Sequence, residues 1–113
     1  MRKVTNQIAK AFFNSQSKAI GNTKTDGQSV WLHGNKIAEK TADGLKLTLA
    51  GWNTVTTRER LNGILQVFNL EGGYNQKAYE PYFNGQMINA NEWQTVSHPN
   101  QLNPNLKAFI DSL

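Results

Sequence analysis

Between Gly51 and Leu65 a turn-rich, extended segment gives way to a helical one, and this junction constrains the fold more than any other stretch. Thr56 followed three residues later by Glu59 reads as a capping box. In that motif the threonine hydroxyl accepts from a helix N–H, and the glutamate reaches back to the cap's own N–H. Leu61, Ile64, Leu65 and Phe68 then recur at helical spacing and give one apolar face. A helix with one apolar face needs a second layer to bury it.

The preceding residues supply that layer. From Gln28 to Ala50 the period changes from helical to alternating: Val30 and Leu32 alternate with Trp31 and His33, and Leu45, Leu47 and Leu49 alternate with Lys46, Thr48 and Ala50. Gly34-Asn35 reads as a two-residue hairpin turn and Asp43-Gly44 as a second turn. The expected result is a three-stranded antiparallel meander with its leucine face on the helices. Trp31, His33, Lys46 and Thr48 would then share the opposite face.

The ends of the chain extend this pattern. Val4, Ile8, Ala11 and Phe12 predict a first helix over about residues 3–19, stopped near Ile20-Gly21-Asn22. Lys77 to Phe83, Asn84-Gly85 and Gln86 to Asn89 read as a hairpin, with Pro81 confining its strand to an edge. Asn103-Pro104 followed by Leu106, Phe109, Ile110 and Leu113 predicts a short final helix. The expected order is α-β-β-β-α-β-β-α, a single α+β domain over residues 1–113. Residues 1–70 form its helix-meander-helix core, and residues 71–113 add a hairpin and a helix.

With 113 residues and no cysteine, the chain can build a modest core without staples, and disulfides, thiolate ligands and cysteine nucleophiles are excluded. The charged N-terminus reads as no signal peptide, and no apolar run approaches the ~20 residues of a membrane span. The expectation is therefore a soluble protein. Net charge is +4, concentrated early: residues 1–60 hold ten Lys and Arg against four acids, the remainder two against four. A positive field of this kind suits a polyanionic partner.

The strings Gly21-Asn22-Thr23, Asp26-Gly27, Leu32-His33-Gly34-Asn35-Lys36-Ile37-Ala38, Asp43-Gly44, Ala50-Gly51-Trp52 and Thr54-Val55-Thr56-Thr57-Arg58-Glu59-Arg60-Leu61-Asn62-Gly63 carry a resemblance. Over about residues 1–66 the chain resembles small accessory proteins of tailed bacteriophages. The resemblance implies an accessory protein acting in the cytoplasm of a bacterial host, and it brings no site residues with it. On this reading residues beyond 66 are a variable addition.

Catalytic and metal chemistry find little support. His33 and His98 lack a second His or Cys at ligand spacing, so no metal or other cofactor is expected. The eight acids are dispersed, Asp26 and Asp43 read as turn residues, and Gly72-Gly73 lacks the lysine of a phosphate loop. The expected role is binding without catalysis. The outward face of the meander is the leading site: Trp31 would stack on bases, flanked by His33 and Lys46. Lys36 and Lys40 would join them if the second strand exposes its even positions. The other outcome for Trp31 is cover by the C-terminal hairpin or helix, and for His33 a plain strand position beside a turn.

Arg58 and Arg60, at a helix N-terminus, are further phosphate contacts, or else are solvated or paired with acids. Trp52 reads as a core or corner aromatic. Single-stranded DNA or RNA is thus the first expected partner. A host protein complex, met through Tyr74, Tyr79, Tyr82, Phe83 and Trp93, is the alternative, and a self-assembling virion component is the third.

Overall fold

The structure, a computed structural model, describes residues 3–97. Helix α1 spans Lys3–Phe13; strands follow as β1 (Lys18–Ile20), β2 (Thr23–Thr25), β3 (Ser29–Leu32), β4 (Asn35–Lys40) and β5 (Gly44–Thr48). Helix α2 (Val55–Val67) leads into β6 (Tyr74–Lys77), β7 (Glu80–Phe83), β8 (Gln86–Met87) and β9 (Trp93–Ser97). Two antiparallel sheets result, one of six strands ordered β1-β2-β3-β4-β5-β9 and one of three ordered β6-β7-β8. The α+β class and the helix-backed meander hold. His98 and the final helix expected from Asn103-Pro104 lie outside the described residues.

Both helices pack on one face of the large sheet. Ile8 and Phe12 of α1 and Leu61, Ile64 and Leu65 of α2 meet Val30, Leu32, Ile37, Leu45, Leu47 and Leu49 in one buried cluster. α1 ends six residues earlier than its apolar pattern suggests. Ser15 takes the left-handed conformation at φ +57°, Gln16 N donates to Ala11 O, and Ser15 N donates to Phe12 O. This is the Schellman closure, made here without glycine. Of the residues expected to continue the helix, Lys18 and Ala19 instead enter the β1–β2 hairpin. Gly27 closes the next turn so near to Ser15 that a Cβ there would lie 2.7 Å from its carbonyl carbon.

The start of α2 corrects the capping box. Thr54, extended at φ −114° and ψ 160°, is the cap, and its Oγ1 accepts from Thr57 N at 3.1 Å. Thr56 lies inside the first turn. Glu59 faces α1 instead of the cap: its carboxylate accepts from Thr5 Oγ1 and lies 2.7 Å from Arg60 Nη1. A buried guanidinium within reach outcompetes a single backbone N–H for that carboxylate.

Two turns also differ from expectation. Leu32 pairs with Asn35, so the β3–β4 turn is His33-Gly34, with φ of +52° and +80°, and not Gly34-Asn35. The run from Lys77 to Phe83 is broken by a left-handed Ala78-Tyr79 turn, which makes β7 the central strand of the small sheet. Pro81 therefore sits in a central strand. It is tolerated because its carbonyl, and hence its missing N–H, faces the β8 side past the end of that strand, where it accepts from Ile88 N at 3.0 Å. The Asn84-Gly85 turn forms as expected, with both residues at positive φ.

The small sheet is tied down by polar contacts. The Asn62 amide holds both backbone groups of Tyr74, at 2.7 and 3.0 Å, in the manner of a neighbouring strand. The buried Tyr74 hydroxyl donates to Gln94 Oε1 at 2.6 Å, and burial pushes its pKa up. Gln94 belongs to β9, which leaves the small sheet behind and pairs with β5 along its whole length.

Candidate nucleic-acid interface

Strand alternation divides the large sheet into a helix-covered face and an outward one. On β2, Thr23 and Thr25 are buried and Lys24 is exposed; on β3, Val30 and Leu32 are buried around the half-exposed Trp31. A bulge in β4 then resets the parity. Val30 pairs with Ala38 and Trp31 with Lys36, so Ile37 is an extra residue, and Ile37 and Ala38 both point inward. Beyond it Glu39 faces outward, opposite Lys46 of β5. Lys46 in turn lies opposite Thr95 of β9, which puts Trp93 on the same face.

These residues form a continuous ladder. Trp31 has the Lys24 and Lys36 ammonium groups 5.4 and 5.7 Å from its ring centroid. Lys36 lies 3.5 Å from Glu39, Glu39 lies 3.0 Å from Lys46, and Lys46 stands 5.0 Å from the ring of Trp93, which is 41% exposed. The Lys46 bond is the main cause that holds the Glu39 carboxyl below its ordinary pKa, with Lys36 adding to it. Cation–π pairs at exposed sites are worth only ~0.5–1 kcal/mol. The lysines are therefore positioned without being locked.

Four residues expected to join in binding, His33 and Lys40 on this face and Arg58 and Arg60 at the helix start, are engaged elsewhere. His33 is in the turn, where its Nε2 lies 3.2 Å from Asn22 Nδ2. Lys40, shifted by the bulge, reaches over the helix side: its Nζ donates to Ser15 Oγ at 2.7 Å and lies 5.3 Å from the Phe12 ring. Burial there lowers its pKa. Arg60 is 6% exposed and bonds Thr5, Thr23 and Glu59, locking α2 to α1 and β2. Arg58 donates to Asn53 Oδ1 at 2.5 Å and to Gln76 Oε1 at 3.3 Å, joining the small sheet to the start of α2.

The aromatic set of the alternative interface is dispersed. Tyr74 is buried, Phe83 packs on it with ring centroids 4.7 Å apart, and Trp93 belongs to the other sheet. Tyr79 stands at a hairpin tip, 88% exposed, and Tyr82 pairs with Lys77. Trp52, expected as a core or corner aromatic, is 59% exposed and so is not in the core. Lys24 and Trp93 are the residues that sequence reading did not place on the outward face. The alternations Thr23-Lys24-Thr25 and Trp93-Gln94-Thr95-Val96 carry that signal, each in a strand of five residues or fewer.

Among the described residues no cluster of three metal-ligating side chains occurs, and no helix is long and apolar enough to cross a membrane. Comparison with known proteins places the chain by sequence. It belongs to the Kyanoviridae Gp96 protein family, a phage family whose model matches residues 1–101. The match runs well past residue 66, so the small sheet and β9 are part of the family pattern and not a variable addition. No curated protein and no solved structure matches the chain.

Proposed function

For this member of the Kyanoviridae Gp96 family, we propose a non-enzymatic role in the cytoplasm of the bacterial host, in which the outward sheet face takes single-stranded DNA or RNA without reading its sequence. The observation that carries this reading is the ladder of Lys24, Trp31, Lys36, Lys46 and Trp93 on one face. Single strands are held by rings that stack on bases and by cations that track phosphates, and a sheet is a suitable platform for both. Three strand spacings of ~4.8 Å separate β3 from β9, which puts the two tryptophans roughly 14 Å apart across the strands. A base arriving at either ring displaces an ammonium group toward the neighbouring phosphate.

Glu39 restrains the face. Bonded to Lys36 and Lys46, it competes with phosphate for both and keeps affinity modest. The best-placed acids have structural work, which supports binding over catalysis: Asp26 closes a turn, Glu39 pairs with lysines, and Glu59 meets Thr5 and Arg60.

Fluorescence anisotropy of a labelled oligonucleotide across a salt series tests the reading. With three lysines engaged, log K should fall against log salt with a slope of about −2 for a single strand. Replacing Lys24, Lys36 and Lys46 with Ala should flatten that slope, and Trp31→Ala or Trp93→Ala should each cost ~1–3 kcal/mol of binding. Glu39→Gln should tighten binding. Absence of binding by the parent protein at low salt would end the reading and leave a host protein as the partner to seek.

A further inference from the structure

A second feature lies on the helix-covered side of the sheet, where the β3–β4 turn meets the start of α2. Here the structure holds a cavity of about 410 Å³. Its floor is Leu32, Ile37 and Leu49, and Trp52 forms a wall. That size falls within the ~300–1,000 Å³ of small-molecule sites, and the make-up is typical of them: an apolar base with a few polar groups at the edge. His33, Asn35 and Thr56 supply that edge. None of the lining residues is Lys, Arg, Asp or Glu, so the cavity suits a neutral ring and not a phosphate or a carboxylate.

The polar edge has a fixed direction. Arginine can only donate hydrogen bonds. Arg60 Nε donates to Thr23 Oγ1 at 3.1 Å, so that hydroxyl spends its own proton on Asn22 Oδ1, 2.8 Å away. With its oxygen thus engaged, the Asn22 amide presents Nδ2 to His33 Nε2 at 3.2 Å. An amide nitrogen can only donate, so Nε2 accepts and the neutral ring carries its proton on Nδ1. The buried arginine thereby sets the tautomer of His33, a residue of the cavity lining, through two intervening side chains. Thr54, by contrast, is committed to the helix cap.

We propose that this cavity receives one unstacked nucleobase of the bound strand, the ring lying against Trp52 and an acceptor on its edge meeting His33 Nδ1–H. The inference rests on the reading of the outward face as a strand-binding surface. Position supports the occupant: Leu32 and Asn35 of the lining point to the side of the sheet opposite their chain neighbours Trp31 and Lys36, and the two-residue His33-Gly34 turn is the rim between the two sides. A planar heteroaromatic ring with hydrogen-bonding edges matches an indole wall, an apolar floor and fixed edge donors. A strand on the ladder reaches the cavity by turning over the His33-Gly34 rim.

The test separates the two sites with two probes, adenosine and a labelled oligonucleotide, followed by backbone amide NMR shifts and by anisotropy. Adenosine should shift the amides of Leu32, His33 and Thr56. Trp52→Ala should weaken it about tenfold or more, the loss one stacking ring carries. The Lys24, Lys36 and Lys46 triple variant should leave adenosine binding unchanged while strand binding collapses. Asn22→Ala, at an exposed position, should mix the His33 tautomers, read directly from the imidazole ¹⁵N shifts, and weaken adenosine binding severalfold. Strand binding with no adenosine shift at the cavity would overturn the inference and leave the outward face standing. So would adenosine binding that is indifferent to Trp52→Ala. Adenosine binding in a protein that holds no strand would support the cavity as a nucleobase site and remove the ladder reading.

Discussion

Lys46 and Leu47 are neighbours on one strand and occupy different media. Leu47 is fully buried beneath the helices, while Lys46 reaches across the open face to Glu39 and Trp93. The two faces use charge differently as well. On the helix side Arg60 is enclosed by three fixed partners, so its geometry is specified and removing it leaves buried groups unsatisfied. On the outward side three lysines share one carboxylate and two rings and remain half in water. Stability is concentrated in one face and exchangeable contacts in the other.

The sharpest way to break this contrast is to remove the inner charge. Arg60→Ala should destabilise by ~3–5 kcal/mol, the usual loss when one partner of a buried pair is deleted. Denaturant unfolding measures it, and a loss under 1 kcal/mol would mean that the network is no stronger than a surface pair. Next comes the adjacent pair. Leu47→Ala should cost ~2–5 kcal/mol through the cavity it leaves, whereas Lys46→Ala should stay within about 0.5 kcal/mol. Equal losses in the same assay would erase the distinction between the faces.

The cap gives a smaller effect on the helix side. Thr54→Ala should cost ~0.5–2 kcal/mol and Thr56→Ala clearly less, since only Thr54 accepts from the helix N–H groups. The reverse order of melting midpoints would reinstate Thr56 as the cap. The smallest effect belongs to the Asp26 turn. Backbone N–H groups of Gln28, and then of Ser29, hold its carboxyl below the ordinary 3.8. A depressed acid contributes stability above its unfolded pKa, and that contribution disappears as pH falls through the lower folded value. The melting temperature of the parent should therefore fall more steeply below about pH 4 than that of Asp26→Asn, and parallel curves would show that the turn contributes nothing.

Elements with several residues in phase were legible in the sequence. Leu45, Leu47 and Leu49, and Leu61, Ile64, Leu65 and Phe68, declare their buried faces by period alone, and all are buried. Asn84-Gly85 marks its turn because two adjacent positive φ angles favour those residue types. The three-residue strands β1 and β2 were not legible. Three residues cannot establish a period, and the helical spacing of Val4, Ile8, Ala11 and Phe12 before them reads on as more helix. The ladder was half legible: Trp31, Lys36 and Lys46 follow from alternation, whereas Lys24 and Trp93 depend on strands recognised only by their partners.

The sequence by itself determined the α+β class, the leucine-faced meander, the second helix and its apolar stripe, because each rests on periodicity between near neighbours. Tertiary structure alone decided which threonine caps α2, where Glu59 and Arg60 point, and which side of the sheet Lys40 joins. The cap was decided by competition, since a carboxylate that could close a helix locally found a buried guanidinium and a threonine on α1. The lysine was decided by one bulged residue, Ile37, which reverses every side chain after it. Both outcomes depend on groups far apart in the chain or on strand register, and neither leaves a trace in local spacing.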